Sequence, residues 1–197
     1  LSFSALLNNT FTMPDWVSLA KIRLGAAQVG NDTGVATLID VYAFQQPWGN
    51  LLTMASGSNL SKFNVKPESI TTYEIGTDLR FFQDRLNLDF TYYDTRSKNH
   101  IMGIPLPAST SYNSRVINAG EIQNKGMEIM LNATPIISED GFQWKLTLNW
   151  SKNEGKVKEL AQGITSITQS APGEDASIQA RIGERMGAIW GPGYRRV

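Results

Sequence analysis

Cysteine is absent from this 197-residue chain. That removes disulfide frameworks, thiolate nucleophiles and cysteine-ligated metals. Histidine occurs once, as His100. A histidine metal site needs further ligands, and no Asp-His-Ser arrangement surrounds it, so His100 reads as a solvated loop residue beside Lys98 and Asn99. Net charge is also missing, since 18 Lys and Arg balance 18 Asp and Glu. With no Lys/Arg-rich block, no nucleic-acid partner is expected. No apolar run approaches the roughly 20 residues of a membrane helix. One membrane solution survives that absence: the β-barrel, whose strands are only half apolar. Phosphate cradles are lacking too, and "GPG" at 191–193 reads as a turn.

What is present is period two. "VSLAKIRLGAAQVG" (17–30) sets Ile22, Leu24 and Ala26 against Lys21, Arg23 and Gly25. "TYEIGTDLRF" sets Tyr73, Ile75, Thr77, Leu79 and Phe81 against Glu74, Gly76, Asp78 and Arg80. "LNLDFTYYD" sets Leu86, Leu88, Phe90 and Tyr92 against Asn87, Asp89, Thr91 and Tyr93. In "MEIMLNATP", Ile129, Leu131 and Ala133 oppose Glu128, Met130, Asn132 and Thr134. "WKLTLNW" sets Trp144, Leu146, Leu148 and Trp150 against Lys145, Thr147 and Asn149. One face is free of charge, and the other carries Glu74, Asp78, Arg80, Asp89 and Lys145. These charges line a wet surface and neutralise one another across neighbouring strands.

Between strands the connections alternate in length: 9–16, 30–69, 83–85, 96–117, 137–141 and 152–185. The long ones read as irregular, with a short strand at 38–44 and another strand beginning in "AIWGPGYRR". Short turns at one end and long loops at the other are the habit of outer-membrane barrels. A charge-free face suits lipid, where a charged side chain costs about 2–4 kcal/mol at mid-depth. Phe81, Phe82, Tyr92, Tyr93, Phe142, Trp144 and Trp150 fall near strand ends, a level that favours aromatic rings in a bilayer. The fold class expected is therefore all-β: an antiparallel up-and-down meander forming part of a transmembrane β-barrel. A water-soluble sheet with one face in a core gives the same alternation. The alternative reading is thus a soluble all-β carbohydrate-binding or adhesion module.

Long stretches also carry a resemblance. "KPE" followed by "YEIGTDLRFF", then "LDFTYYD" and "NAGEIQNKGMEIMLNATP", resembles in order and spacing the late barrel of the SusC/RagA family. "WVSLAKIRLGAAQVGND" and "FQWKLTLNWSKNEGKVKEL" extend it to most of the chain, most weakly at 31–60 and 161–185. These are TonB-dependent outer-membrane transporters of Bacteroidetes. The resemblance implies that residues 1–197 belong to one TonB-dependent receptor β-barrel domain, with the plug, its TonB box and the remaining strands outside this stretch. It implies TonB-dependent import of oligosaccharides or peptides through the cell outer membrane, with a SusD-like lipoprotein as lid, outer-membrane lipid around the wall, and no cofactor. Ligand contacts would come from 31–67, 96–117 and 152–185. There Tyr42, Phe44, Trp48 and Tyr112 are the candidates, because rings stack on sugars; their plainer role is loop packing.

An enzyme reading finds little support. Glu121 and Glu128 lie seven residues apart, about 23 Å along a strand, and face opposite sides. Gly126 marks either a plain strand position or a place of close approach.

Overall fold

The computed structural model describes residues 1–34, 42–57, 59–60, 65–161, 163–170 and 175–193. Its strands are β1 (Ser2–Leu6), β2 (Val17–Asn31), β3 (Tyr42–Trp48), β4 (Leu51–Ser56), β5 (Asn59–Leu60), β6 (Glu68–Phe81) and β7 (Leu86–Lys98). There follow β8 (Ile101–Pro105), β9 (Ser114–Asn118), β10 (Gly120–Ile137), β11 (Gln143–Leu160), β12 (Ser166–Ser170), β13 (Ser177–Arg181) and β14 (Ala188–Trp190). Two 3-10 turns, Leu7–Asn9 and Ala108–Thr110, complete the set. No helix among the described residues is long and apolar enough to cross a membrane.

Six strands share one sheet in the order β1-β2-β6-β7-β10-β11. Its neighbours follow chain order, so the expected meander is observed, and the described strands do not close into a barrel. The five long strands have 13 to 18 residues, where spanning a bilayer takes about 9–11.

The chain divides into two compact units. Unit one comprises Leu1–Gln28, Thr71–Arg96 and Gln123–Gly155; unit two comprises Val29–Ile70, Ser97–Ile122 and Lys156–Val197. The short connections belong to unit one and the long ones to unit two.

Unit one bears out the polar face read from the sequence. Arg23 Nη2 reaches both carboxylate oxygens of Asp89 at 2.9 Å. A side chain at Gly76 would meet that same guanidinium. The Tyr93 ring lies against Gly126, in the space a Cβ would fill. Asn132 Oδ1 accepts from Thr147 Oγ1 at 2.8 Å. All of these lie on the polar face, so the neutralisation expected there is met by Arg23 with Asp89 and, along one strand, by Arg80 with Asp78 at 3.5 Å. Gly126 is the close-approach case, not the plain one. The short turn after β6 holds Phe82, Gln83 and Asp84 at φ of 54°, 56° and 64°, which places Phe82 in the turn instead of the strand. Trp16 stacks on Phe81 at 5.6 Å beside it.

Unit one has almost no core. Ala20 is its one buried hydrophobic residue among those described, while Tyr73, Ile75, Trp144, Leu148 and Trp150 are each 45–57% exposed. Unit two differs. Ala119, Val157, Leu160, Ile167 and Ala180 form a small apolar cluster, joined by Met102, Ile104 and Ile164.

The expected irregularity of the long connections is corrected. Residues 42–60 contain three strands, with β3 and β4 as an antiparallel hairpin. The expected strand at 38–44 begins at Tyr42 within the described residues; 38–41 lie outside them. The segment 96–117 continues β7 to Lys98 and folds back as the β8–β9 hairpin. Beyond Ser151, β11 runs on to Leu160, and β12-β13-β14 form a small sheet. "AIW" is a strand as expected, and 194–197 lie outside the described residues. The physical reason is shared: these stretches bury at most isolated residues, such as Val157, Ile167 and Ala180, so no sustained apolar alternation is there to read.

Candidate ligand-facing unit

Unit two gathers the long connections, and two polar side chains hold their roots. Glu68, only 7% exposed, opens β6. Its Oε1 accepts the Ile101 amide at 2.6 Å, and its Oε2 accepts Asn31 Nδ2 at 2.9 Å. His100 Nδ1 stands 2.9 Å from Oε1. One carboxylate thus ties the end of β2, the start of β6 and the start of β8. Burial opposes its charge, but the hydrogen bonds from Ile101 and Asn31, with the charge of and bond to His100, outweigh it and hold its pKa below the ordinary carboxylate value. His100 is therefore a structural partner of a buried acid, correcting its reading as a solvated loop residue.

Asn118 is the second root. Its Oδ1 accepts the Lys66 amide at 2.9 Å, while its Nδ2 donates to the Lys66 and Asn99 carbonyls at 2.7 and 2.8 Å. The side chain thereby copies a strand edge, satisfying one backbone amide and two backbone carbonyls. Gly120 follows at φ +132°, where an added Cβ would strike the Glu159 backbone. Lys98 Nζ and Glu121 Oε2 approach to 3.7 Å. Glu121 is thus a loop-root ion partner.

On these roots stand the candidate contacts. Tyr42, Phe44 and Trp48 all belong to the β3–β4 hairpin, 67%, 72% and 82% exposed. Phe44 pairs with Met54 and Trp48 with Leu51 across the hairpin. Leu51, Leu52 and Met54 are also exposed, and sequence reasoning missed them because it favoured rings over aliphatic side chains. Tyr112 lies on a different element, half-buried beside the 3-10 turn, its amide 3.3 Å from Thr110 Oγ1. The first three are brought together, and Tyr112 is not placed with them. A separate cleft of about 310 Å³ lies between Ile104–Pro105 and residues 163–168. Arg181 over the Trp190 ring at 3.5 Å braces β13 against β14.

Glu68 and Asn118 were also missed. Glu68 had one visible signal, its place in "KPE" just before a strongly alternating strand. Asn118 had none, since its partners are remote in sequence. Among the described residues no group of His, Asp and Glu is arranged to hold a metal.

The fold is an open antiparallel meander of long strands that carry shorter hairpins. Residues 6–182 match the family described as "TonB dependent receptor-like, beta-barrel", and the chain belongs to that family. It is 33% identical over 96% of its length to TonB-dependent receptor P3 of Formosa agariphila. It is 28% identical over 84% of its length to TonB-dependent receptor SusC of Bacteroides thetaiotaomicron. It spans 19% and 16% of those relatives. Among solved structures it is similar to the RagAB peptide importer in the "closed-closed" state, with a TM-score of 0.81 at 16% identity, covering 92% of this chain and 20% of that one. The "open-open" state gives 0.75 with the same coverage. The fold is thus that of a TonB-dependent barrel segment of the SusC/RagA kind, a family of transport proteins and not of enzymes.

Proposed function

We propose that this chain is a wall segment of an outer-membrane importer that takes up glycans or peptides by TonB-dependent transport, with a SusD-like surface lipoprotein as lid. The observation that carries the reading is the near-absence of an apolar core in unit one, beside a charge-free stripe of exposed Leu, Ile, Tyr and Trp. A soluble module would bury that stripe against a second layer. In lipid the stripe is in its proper solvent, and the paired strand amides need no water. Similarity to SusC and to the RagAB peptide importer supports the cargo classes. The polar face, with Asp89, Glu128 and Asn149 around a recess of about 420 Å³, would face the lumen and a plug coupled to TonB.

In this reading the long connections face outward. Tyr42, Phe44 and Trp48 offer an exposed ring surface on a hairpin, suited to stacking on sugar rings or apolar peptide side chains, and Tyr112 contributes from its own turn. The test uses the full-length protein in its native Gram-negative host. Disrupting the gene should abolish growth on one glycan or peptide class and leave monosaccharides or free amino acids usable. An uncoupler should stop uptake of the labelled cargo, and Trp48→Ala should weaken it. A full-length protein monodisperse in plain buffer and absent from outer-membrane fractions would restore the soluble carbohydrate-binding or adhesion module.

A further inference from the structure

We propose that the apolar face of unit one carries a docking site for a phosphate-bearing lipid headgroup, formed by Arg96, Lys125 and Lys152 above Tyr92 and Met127. The site rests on the membrane reading just given.

Period two places Tyr92, Asp94 and Arg96 on the face of Leu86, Leu88 and Phe90. The same rule places Lys125 with Ile129 and Leu131, and Lys152 with Leu148 and Trp150. These three strands are neighbours in the sheet. The uncharged stripe therefore gives way to charge on adjacent strands, on the side that meets lipid.

The charges are organised. Gln123 Nε2 donates to both oxygens of Asp94, at 2.8 and 2.9 Å. Lys125 Nζ and Arg96 Nη2 each stand 3.6 Å from Asp94 Oδ2. Asp94 thus gathers two cations, and its own acceptor sites are engaged. The cations keep donors to spare, because ammonium has three and guanidinium five. Their side chains are nearly half exposed, at 46% and 48%. Beside them is a recess of about 180 Å³ lined by Tyr92, Lys125, Gly126, Met127, Lys152 and Glu154. It joins an apolar wall to two ammonium groups. Three cations against Asp94 and Glu154 leave the patch positive. That combination matches an amphiphile whose acyl chain follows the stripe while its phosphate sits on the lysines. A free anion would have no use for the apolar wall.

The experiment uses the full-length protein in detergent, with lipid retention read by native mass spectrometry. The probes are dioleoyl phosphatidic acid, dioleoyl phosphatidylcholine and inorganic phosphate. The wild type should retain phosphatidic acid in preference to phosphatidylcholine, and inorganic phosphate should not displace it. Combined Arg96→Gln, Lys125→Gln and Lys152→Gln should reduce retention about tenfold, a factor equal to about 1.4 kcal/mol. Lys145→Gln, on the opposite face, should leave it unchanged. Equal retention by the triple variant, no preference over phosphatidylcholine, or displacement by inorganic phosphate would each overturn the site. Heat-modifiable gel mobility of the same samples separates the two claims. Lost lipid with an intact barrel band rejects this site alone, whereas no barrel band in the wild type rejects the transporter reading beneath it.

Discussion

His100 Nδ1 lies 2.9 Å from Glu68 Oε1, and the pair clamps the root of one long connection to the root of the next. Removing the acceptor would strand the Ile101 amide and Asn31, at a cost of about 1–3 kcal/mol. Glu68→Ala should therefore lower the amide-exchange protection of Ile101 in the full-length protein while the unit-one strands stay protected. The pH dependence follows from the lowered pKa of Glu68. Its contribution is present above the unfolded carboxylate value and is lost as pH falls through the folded one. Exchange at Ile101, corrected for intrinsic rate, should rise on acidification in the wild type. A Glu68→Gln variant showing the same acid response would disprove the assignment to this group.

Gly126 lies under the Tyr93 ring. Gly126→Ala should cost about 1–3 kcal/mol through overpacking, seen as a lower temperature for loss of the heat-modifiable barrel band. Adding Tyr93→Ala should recover part of the loss. No recovery in the double variant would mean that the ring is not the obstacle.

The two wall faces predict opposite tolerance to charge. Leu88→Arg, Leu131→Arg and Leu148→Arg in the full-length protein should each block barrel formation, at about 2–4 kcal/mol for a residue near mid-depth. Asn132→Arg and Asn149→Arg should be much milder, because these side chains share the wet face with Thr147. Equal loss of the folded band in both sets would reject the register.

Sidedness is checked with single cysteines in these cysteine-free 197 residues, any cysteine elsewhere in the full-length protein being replaced by serine. Ser109 and Asp84 are both exposed, the first in the turn beyond β8 and the second in the short turn after β6. A membrane-impermeant maleimide on intact cells should label Ser109→Cys. It should miss Asp84→Cys until the outer membrane is opened. Labelling only the latter would invert the orientation.

The wall was legible because one-sided burial writes itself into alternate residues. Leu86, Leu88 and Phe90 against Asn87, Asp89 and Thr91 needs no structure to interpret. The same strands became illegible where burial falls on isolated residues such as Val157 and Leu160. In "KNEGKVKEL" the alternation of Lys152, Glu154, Lys156 and Lys158 with Asn153, Gly155, Val157 and Glu159 carries almost no apolar contrast, so β11 was expected to end early. The loop roots were hidden for another reason. Glu68 with His100, and Asn118 with Lys66, join residues far apart in sequence, and nothing local marks a side chain as the partner of a distant backbone. Of the candidate contacts, Tyr42, Phe44 and Trp48 were legible as loop aromatics, but the hairpin that unites them was not.

The division of labour between the two roots and the segments they carry has an evolutionary reading. Glu68 and Asn118 add a handful of side-chain bonds to the strand pairing that runs into the long connections. A lineage that keeps those anchors can exchange the β3–β4 hairpin, which lies between Asn31 and Glu68, without altering the long strands. Variation would then concentrate in the exposed tips, with the anchoring acid and amide left in place.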